Sequence, residues 1–331
     1  MADVRAVANG NWNTGATWNT GTVPTAADDV YSNTFTVNVD VSFTVLTLRS
    51  TAGTGITAGG SFNFNTAGVT GTVTSSSPLV PGATNLIQVT ATTGTVTISL
   101  GGNVTTRAFG GDVLISYNGN CNLNISGTNY NGSTTASTCI NKTSAGLITI
   151  TGNVNGGNAG GSTAAQAFVS TNGNTVIIGN VVGGIGAGGS HRGVNQSAGT
   201  LTITGNVTGG QTTGSNQGVL FSGTLLTVNG NIVGSTAASA IDSSAPVNNI
   251  TGNVTAGTVA PIFSSSANII NVTGTVTASA TSQAISMTNA NGQVYLNGNM
   301  VNNNGKMAIY APIVWLDANN TTSAAFFTSG G

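Results

Sequence analysis

The sequence predicts an all-β fold: a single-stranded, parallel, right-handed β-solenoid of about ten coils of roughly 25 residues, capped at both ends. Three observations predict it. A Gly-Asn-Val tripeptide or a close relative recurs along the chain, with its glycine at Gly71, Gly102, Gly127, Gly152, Gly179, Gly205, Gly230, Gly252, Gly274 and Gly298. After a first gap of 31, the steps are 25, 25, 27, 26, 25, 22, 22 and 24. Around each glycine, apolar residues alternate with polar ones. Between these runs lie Gly, Asn, Ser and Thr, and Gly and Asn tolerate the left-handed backbone angles of corners.

The repeat centred on Gly205 is the clearest copy: Leu201, Ile203 and Val207 fall four before, two before and two after the glycine. Ile148, Ile150 and Val154 repeat this around Gly152, and Leu226, Val228 and Ile232 around Gly230. Period-two alternation marks a half-buried strand, and the intervening threonines are good strand formers. A second apolar cluster lies midway through most repeats, as in Ala167-Phe168-Val169, Val219-Leu220-Phe221 and Pro261-Ile262-Phe263, and is expected to supply a second strand. One such coil cannot bury its own apolar face, but a stack of coils can. With strands about 4.8 Å apart, ten coils make a rod roughly 50 Å long.

Asn103, Asn153, Asn180, Asn206, Asn231, Asn253 and Asn299 each follow a marker glycine. In register they would stack as an amide ladder along one corner. Gly127 and Gly274 are followed by Thr, so interruptions are expected there. Asparagine is also a common turn residue, and that plainer account stands beside the ladder.

The ends differ from the middle. Residues 1–31 read as an N-terminal cap, 32–301 as the shaft and 302–331 as a C-terminal cap or contact segment. Trp12, Trp18 and Trp315 are all terminal, where a solenoid must cover stacked backbone and core. Asp28 and Asp29 are expected to accept backbone N–H groups in the turn after Pro24. Beyond Asn302 the frame breaks, and Ile309–Leu316 is the densest apolar stretch. Phe326 and Phe327 close to the end would cap the rod, or insert into a neighbour's pocket.

The run Gly10-Asn11-Trp12, Thr17-Trp18, Gly21-Thr22-Val23-Pro24 and Asp28-Asp29-Val30 resembles the opening of parallel β-helix structural proteins of bacterial surfaces and phage virions, marine and cyanophage ones among them. The resemblance covers roughly residues 10–41. It implies a Trp-lined cap, a turn holding the acidic pair and a structural role, with homotrimers the usual state of such fibres.

Composition narrows the function. Only 4% of residues are charged and the net charge is −1. That offers no basic surface for nucleic acid and no polybasic or amphipathic segment for a membrane. The N-terminus has no basic start leading into an apolar run, so no secretory signal is expected, which suits a virion protein that leaves by lysis. Cys121 and Cys139 fall on different parts of the coil and are expected as buried thiols.

Catalytic chemistry is hard to assemble from this sequence. The acids are Asp3, Asp28, Asp29, Asp40, Asp112, Asp242 and Asp317, with no Glu. Past the cap, successive acids lie about three or more coils apart, roughly 14 Å, too far for the carboxylate pairs of glycosidases. His191 has no partners for a metal site or a triad and is expected on an exposed corner. No cofactor is expected. The leading expectation is a virion rod: a tail fibre, whisker or capsid decoration that associates with itself, as a homotrimer or a head-to-tail polymer, and with other virion proteins. A glycan-binding adhesin for host surfaces is the alternative, with Tyr117, Tyr130 and Tyr295 as candidate aromatics. A polysaccharide lyase or hydrolase is the least supported.

Overall fold

The chain's computed structural model describes residues 2–50, 60–75, 85–105, 113–132, 138–159, 165–186, 189–210, 216–266, 269–278, 282–301 and 309–316. It is a parallel β-solenoid, and each regular coil contributes three short strands. In the coil around Gly205 these are Val194–Gln196, Thr200–Thr204 and Val207–Thr208. Each pairs in parallel, residue for residue, with its counterpart one coil on: Val219–Phe221, Leu225–Asn229 and Ile232–Val233. The first of the three sheets runs through 13 strands, from Gly10–Asn11 to Ile309–Tyr310. The second and third sheets merge where the long strands Asn122–Asn131 and Ile148–Asn155 run through the corner between them.

The midway apolar clusters form the first sheet, for example Phe168–Ser170 and Ile262–Ser264. From Gly179 onward the run through each marker glycine is two strands, not the one that its alternation suggests. Gly205 has φ of +145°, which turns the chain between Thr200–Thr204 and Val207–Thr208. Alternation survives the bend because both strands send their apolar residues inward, so the pattern alone does not reveal the corner.

Inside, like stacks on like. Val154, Val181, Val207, Ile232, Val254 and Val276 form one column through the third sheet, each with no exposed surface. Ile150, Ile177, Ile203, Val228, Ile250 and Val272 form another through the second sheet. Each such side chain contributes roughly 1.5–3 kcal/mol by its burial, and β-branched shapes suit the pleated surface.

The coils before Gly71 are less regular. Their third sheet is Asp3–Arg5, Asp29–Tyr31 and Thr47–Arg49. At the other end, the sequence frame breaks at Asn302 but the sheets continue. Ile309–Tyr310 pairs with the strand Ile285–Met287, and Ile313–Leu316 with Gln293–Asn297, so one more rung follows the last marker glycine.

Gly205 is doubly constrained: beyond its positive φ, a Cβ there would lie 2.2 Å from the carbonyl oxygen of Gly179 one coil below. Gly205→Ala is therefore expected to destabilise the protein by roughly 3 kcal/mol, from left-handed strain plus overpacking. Thr204→Ala on the neighbouring exposed position is expected to change it by less than about 0.5 kcal/mol. Urea unfolding followed by circular dichroism measures both.

Candidate functional site

From Asn103 to Thr275 the corner after the marker glycines carries a hydrogen-bond chain along the rod. The kink at glycine takes the following N–H out of the ordinary ladder, yet a main-chain N–H needs an acceptor. The asparagine of the coil before supplies it. Asn180 N donates to Asn153 Oδ1, Asn206 N to Asn180 Oδ1, Asn231 N to Asn206 Oδ1, Asn253 N to Asn231 Oδ1 and Thr275 N to Asn253 Oδ1, each at 2.9 Å. The ladder is thus side chain to backbone over this stretch, rather than amide to amide. Amide pairing does occur below it: Asn153 Nδ2 donates to Asn129 Oδ1 at 2.8 Å and Asn129 Nδ2 to Asn103 Oδ1 at 2.6 Å.

Asn129 changes the expected interruption at Gly127. A register shift between Ser126 and Asn129 brings Asn129, two residues past the glycine, opposite Asn153. At Gly274, Thr275 receives the ladder's last bond of this kind through its N–H. Asn299 follows at Gly298 in the next coil, and the carbonyl of Asn299 accepts from Val276 N at 2.9 Å.

A second polar column lies inside the rod, at the turn between the first and second sheets. Tyr117, Lys142, Ser170 and Gln196 succeed one another in register there, and Ser243 follows beyond the apolar Phe221, all buried. The first four satisfy carbonyls of the turn that follows, and Ser243 Oγ donates to Asn248 Oδ1 at 2.6 Å. Tyr117 donates to the carbonyl of Cys121, and Lys142 Nζ to that of Asn172. Ser170 Oγ shares that Asn172 carbonyl at 2.9 Å, and Gln196 Nε2 bonds the carbonyls of Ala198 and Thr200 at 2.7 and 3.0 Å. Burial pushes the Tyr117 phenol up to about 12 and the Lys142 ammonium down to about 8. Apolar alternation conceals this column, since only its neighbours in sequence are hydrophobic.

His191 is fully buried, not exposed on a corner. Its Nδ1 accepts from Ala165 N at 3.2 Å, and its own N–H donates to Asn216 Oδ1 at 2.8 Å. It therefore serves a neighbouring coil's backbone as the corner asparagines do. The glycines around it leave the room: a Cβ on Gly210 would lie 2.5 Å from that of His191. Burial lowers its pKa, which keeps the ring neutral and Nδ1 an acceptor. Next to it, Arg192 Nε donates to Gln217 Oε1 at 2.8 Å, and Gln217 Nε2 reaches Asp242 Oδ2 at 3.5 Å. Burial raises the Asp242 carboxyl, and Arg192 partly offsets this.

The acids near the N-terminus are all engaged. Asp28 Oδ2 accepts from Thr25 N and Thr25 Oγ1, both at 2.8 Å, in the turn after Pro24. Its pKa is lowered: slight burial pulls it up, and the Thr25 bonds outweigh that. Asp29 accepts from Thr47 Oγ1, and Asp40 from Asn13 N at 3.0 Å. Among the described residues, no three His, Cys, Asp or Glu side chains converge as metal ligands would. Cys121 and Cys139 are buried free thiols. Asp112, Asp317, Phe326 and Phe327 lie outside the described residues.

The tryptophans divide sharply. Trp12 and Trp18 are 1% and 2% exposed. Trp12 stacks on Phe43 at 3.9 Å and meets Trp18 edge-on at 5.1 Å, and Trp18 Nε1 donates to the Trp12 carbonyl at 2.9 Å. Trp315 is 57% exposed and lies parallel to Tyr295, with centroids 6.1 Å apart. These two rings border a shallow depression lined also by Asn271, Thr273 and Asn297. Of the other candidate tyrosines, Tyr117 and Tyr130 are wholly buried and unavailable to a ligand. No protein-family model, curated protein or solved structure matches this chain.

Two outcomes are expected. Asn206→Ala leaves Asn231 N without its acceptor at an exposed corner and is expected to cost about 1 kcal/mol, while Asn206→Asp, which keeps the oxygen, costs clearly less. Denaturant midpoints of the two variants check this. For Lys142, the folded pKa lies below the unfolded value near 10.5. Stability held back below pH 8 is therefore regained as pH rises from about 8 to 10.5. Lys142→Met is expected to stabilise the protein by about 1–3 kcal/mol at pH 7, because Ser170 still satisfies the Asn172 carbonyl. The difference between variant and parent shrinks towards pH 10.5 in paired unfolding curves.

Proposed function

We infer that the protein is a structural virion component, a stiff rod serving as part of a tail fibre, whisker or capsid decoration. The observation that carries this is the unbroken in-register stacking of the first sheet through 13 strands, from Gly10 to Tyr310. Each coil is tied to the next by main-chain bonds in three sheets and by the asparagine corner. Bending such a rod strains many parallel bonds at once, which suits a mechanical part. The acidic side chains support a non-catalytic reading: Asp28, Asp29 and Asp40 hold turns and strands together, and Asp242 is tied to Gln217. The resemblance of residues 10–41 to virion and surface β-helix proteins supports the location.

A glycan-binding role has one observation in its favour, the exposed parallel pair Tyr295 and Trp315 beside the amides of Asn271 and Asn297. Aromatic faces flanked by amides suit sugar rings.

Electron microscopy of the purified protein and of antibody-labelled phage particles tests the leading reading. Rods roughly 60 Å long, and label on particles at a fixed position, are expected. Compact round particles, or label only on host cells, overturn it. Glycan-array binding that Trp315→Ala abolishes would favour the second reading.

A further inference from the structure

Asparagine followed by glycine can cyclise on itself, because glycine has no side chain to hinder its nitrogen from closing a five-membered ring on the asparagine amide. The reaction needs that nitrogen to shed its proton and to lie against its own asparagine side chain. Several Asn-Gly pairs of this chain are disarmed by the ladder. At Asn118-Gly119, Asn155-Gly156 and Asn229-Gly230 the glycine N–H donates to a carbonyl of a neighbouring coil, that of Val89, Val182 and Thr251, at 2.9, 2.7 and 2.8 Å.

Asn172-Gly173 is held differently. Gly173 N donates to Oδ1 of Asn172 itself at 2.8 Å, which sets the nitrogen beside the side-chain amide it would attack. Gly173 has φ of +73°, and a Cβ there would lie 2.5 Å from the Ala145 carbonyl oxygen and 2.6 Å from Lys142 Nζ, so glycine is required. Asn172 is exposed, and water reaches it. The main-chain carbonyl of Asn172, conjugated to that same nitrogen, accepts from Lys142 Nζ and from Ser170 Oγ, the latter at 2.9 Å. Lys142 has no exposed surface and Ser170 is 1% exposed, so water competes little with either donor.

We propose that Asn172-Gly173 is a self-modification site, where the Gly173 nitrogen attacks Asn172 Cγ while Lys142 and Ser170 stabilise the peptide anion that attacks. The Gly173 N–H proton passes to solvent. As it leaves, negative charge spreads onto the Asn172 carbonyl oxygen, where both donors already stand. The nitrogen then bonds to Cγ, the Cγ–Nδ2 bond breaks, and Nδ2 takes a proton from water and departs as ammonia. Water opens the resulting succinimide at either carbonyl, leaving aspartate or isoaspartate at position 172. One ammonia is lost and one water gained, with no other reactant. Burial lowers the Lys142 pKa to about 8, which still leaves the ammonium predominant at pH 7. The iso-linkage routes the main chain through Cβ and lengthens the turn that Lys142 and Ser170 hold. This inference stands apart from the rod reading, since it concerns one turn of one coil.

The full chain, kept folded at neutral pH and sampled over time, tests it. Proteolytic mapping by mass spectrometry reads the exchange of NH2 for OH at each asparagine, and isoaspartate methyltransferase labels the iso-product. Asn172 is expected to convert about tenfold or more faster than Asn118, Asn155 and Asn229 in the same sample. In urea, where the turn is lost, the four sites are expected to converge. Lys142→Met is expected to slow conversion at Asn172 about tenfold and to leave the other three sites unchanged, with Ser170→Ala slowing it in the same selective way. Circular dichroism confirms that each variant is folded. Equal rates at all four sites in the folded chain would overturn the proposal, as would a lead for Asn172 that persists in urea and so belongs to local sequence. Slowing of every site alike in Lys142→Met, or none at Asn172 in either variant, would remove the role of the two donors and overturn it too.

Discussion

The fold depends on how a corner is turned without breaking the ladder that runs along the rod. A chain can change direction between two sheets only by leaving extended geometry, and any residue that does so misplaces a main-chain group. Here glycine takes the turn, at φ between +130° and +155° from Gly152 to Gly298. The glycines also stack so closely that the oxygen of each fills the space a side chain on the next would need. The N–H displaced by the turn is recovered by the asparagine one coil earlier. Glycine and asparagine are therefore two halves of one solution, which is why they recur together at the period of the coil. Coil lengths vary from 22 to 27 among the regular repeats without disturbing this corner, because the slack is taken up on the far side of the coil.

The same stacking explains the scarcity of charge. A side chain on one coil lies about 4.8 Å from its counterparts above and below, and like charges at that spacing repel by roughly 1 kcal/mol even in water. A column of repeated charge would add such terms at every rung. Hydroxyls and amides gain from the same proximity, as Asn271 Nδ2 donating to Asn249 Oδ1 at 2.7 Å shows. On the shaft, Lys142 is held by a turn carbonyl and Arg192 by Gln217 near Asp242. A surface built this way is little screened by salt.

The solenoid was legible because its two strongest determinants repeat: inward apolar residues and the corner glycine. What stayed hidden is whatever works across coils rather than along the chain. Lys142 looks like a surface cation until Tyr117 and Ser170 are seen above and below it. His191 sits in a glycine-rich run that reads as a loose corner, yet those glycines make room for a buried ring whose Nδ1 serves Ala165. Asn129 falls outside the Gly-Asn frame and joins the ladder only through a register shift. The bend at each glycine was invisible for the converse reason, since two strands meeting at a corner keep the polarity pattern of one. Of the end residues, Trp12 and Trp18 are of the type a cap needs, and the burial of both distinguishes them from Trp315, a difference their sequence neighbourhoods do not carry.

A solenoid has no intrinsic stop, so its ends must be made by something other than the repeat. The N-terminal end does this with segment 17–19, which bonds the main chain of Arg5 and Val7 beside the strand Asp3–Arg5, while Trp12 and Trp18 cover the core. The cost is a stretch of chain that follows no repeat and must carry its own hydrogen bonds, which accounts for the Asx and Thr side chains concentrated between Asn11 and Asp28. Ile309–Leu316 does the reverse. Ile313–Leu316 keeps strand geometry and in-register pairing, and sets Trp315 beside Tyr295 in the column that earlier coils fill with Asn249 and Asn271. A rung that retains the ladder and adds apolar surface has the properties of an internal layer rather than a terminus. Among the described residues, the outermost rungs therefore differ: segment 17–19 closes the edge of Asp3–Arg5, and Ile313–Leu316 keeps the form of an inner rung.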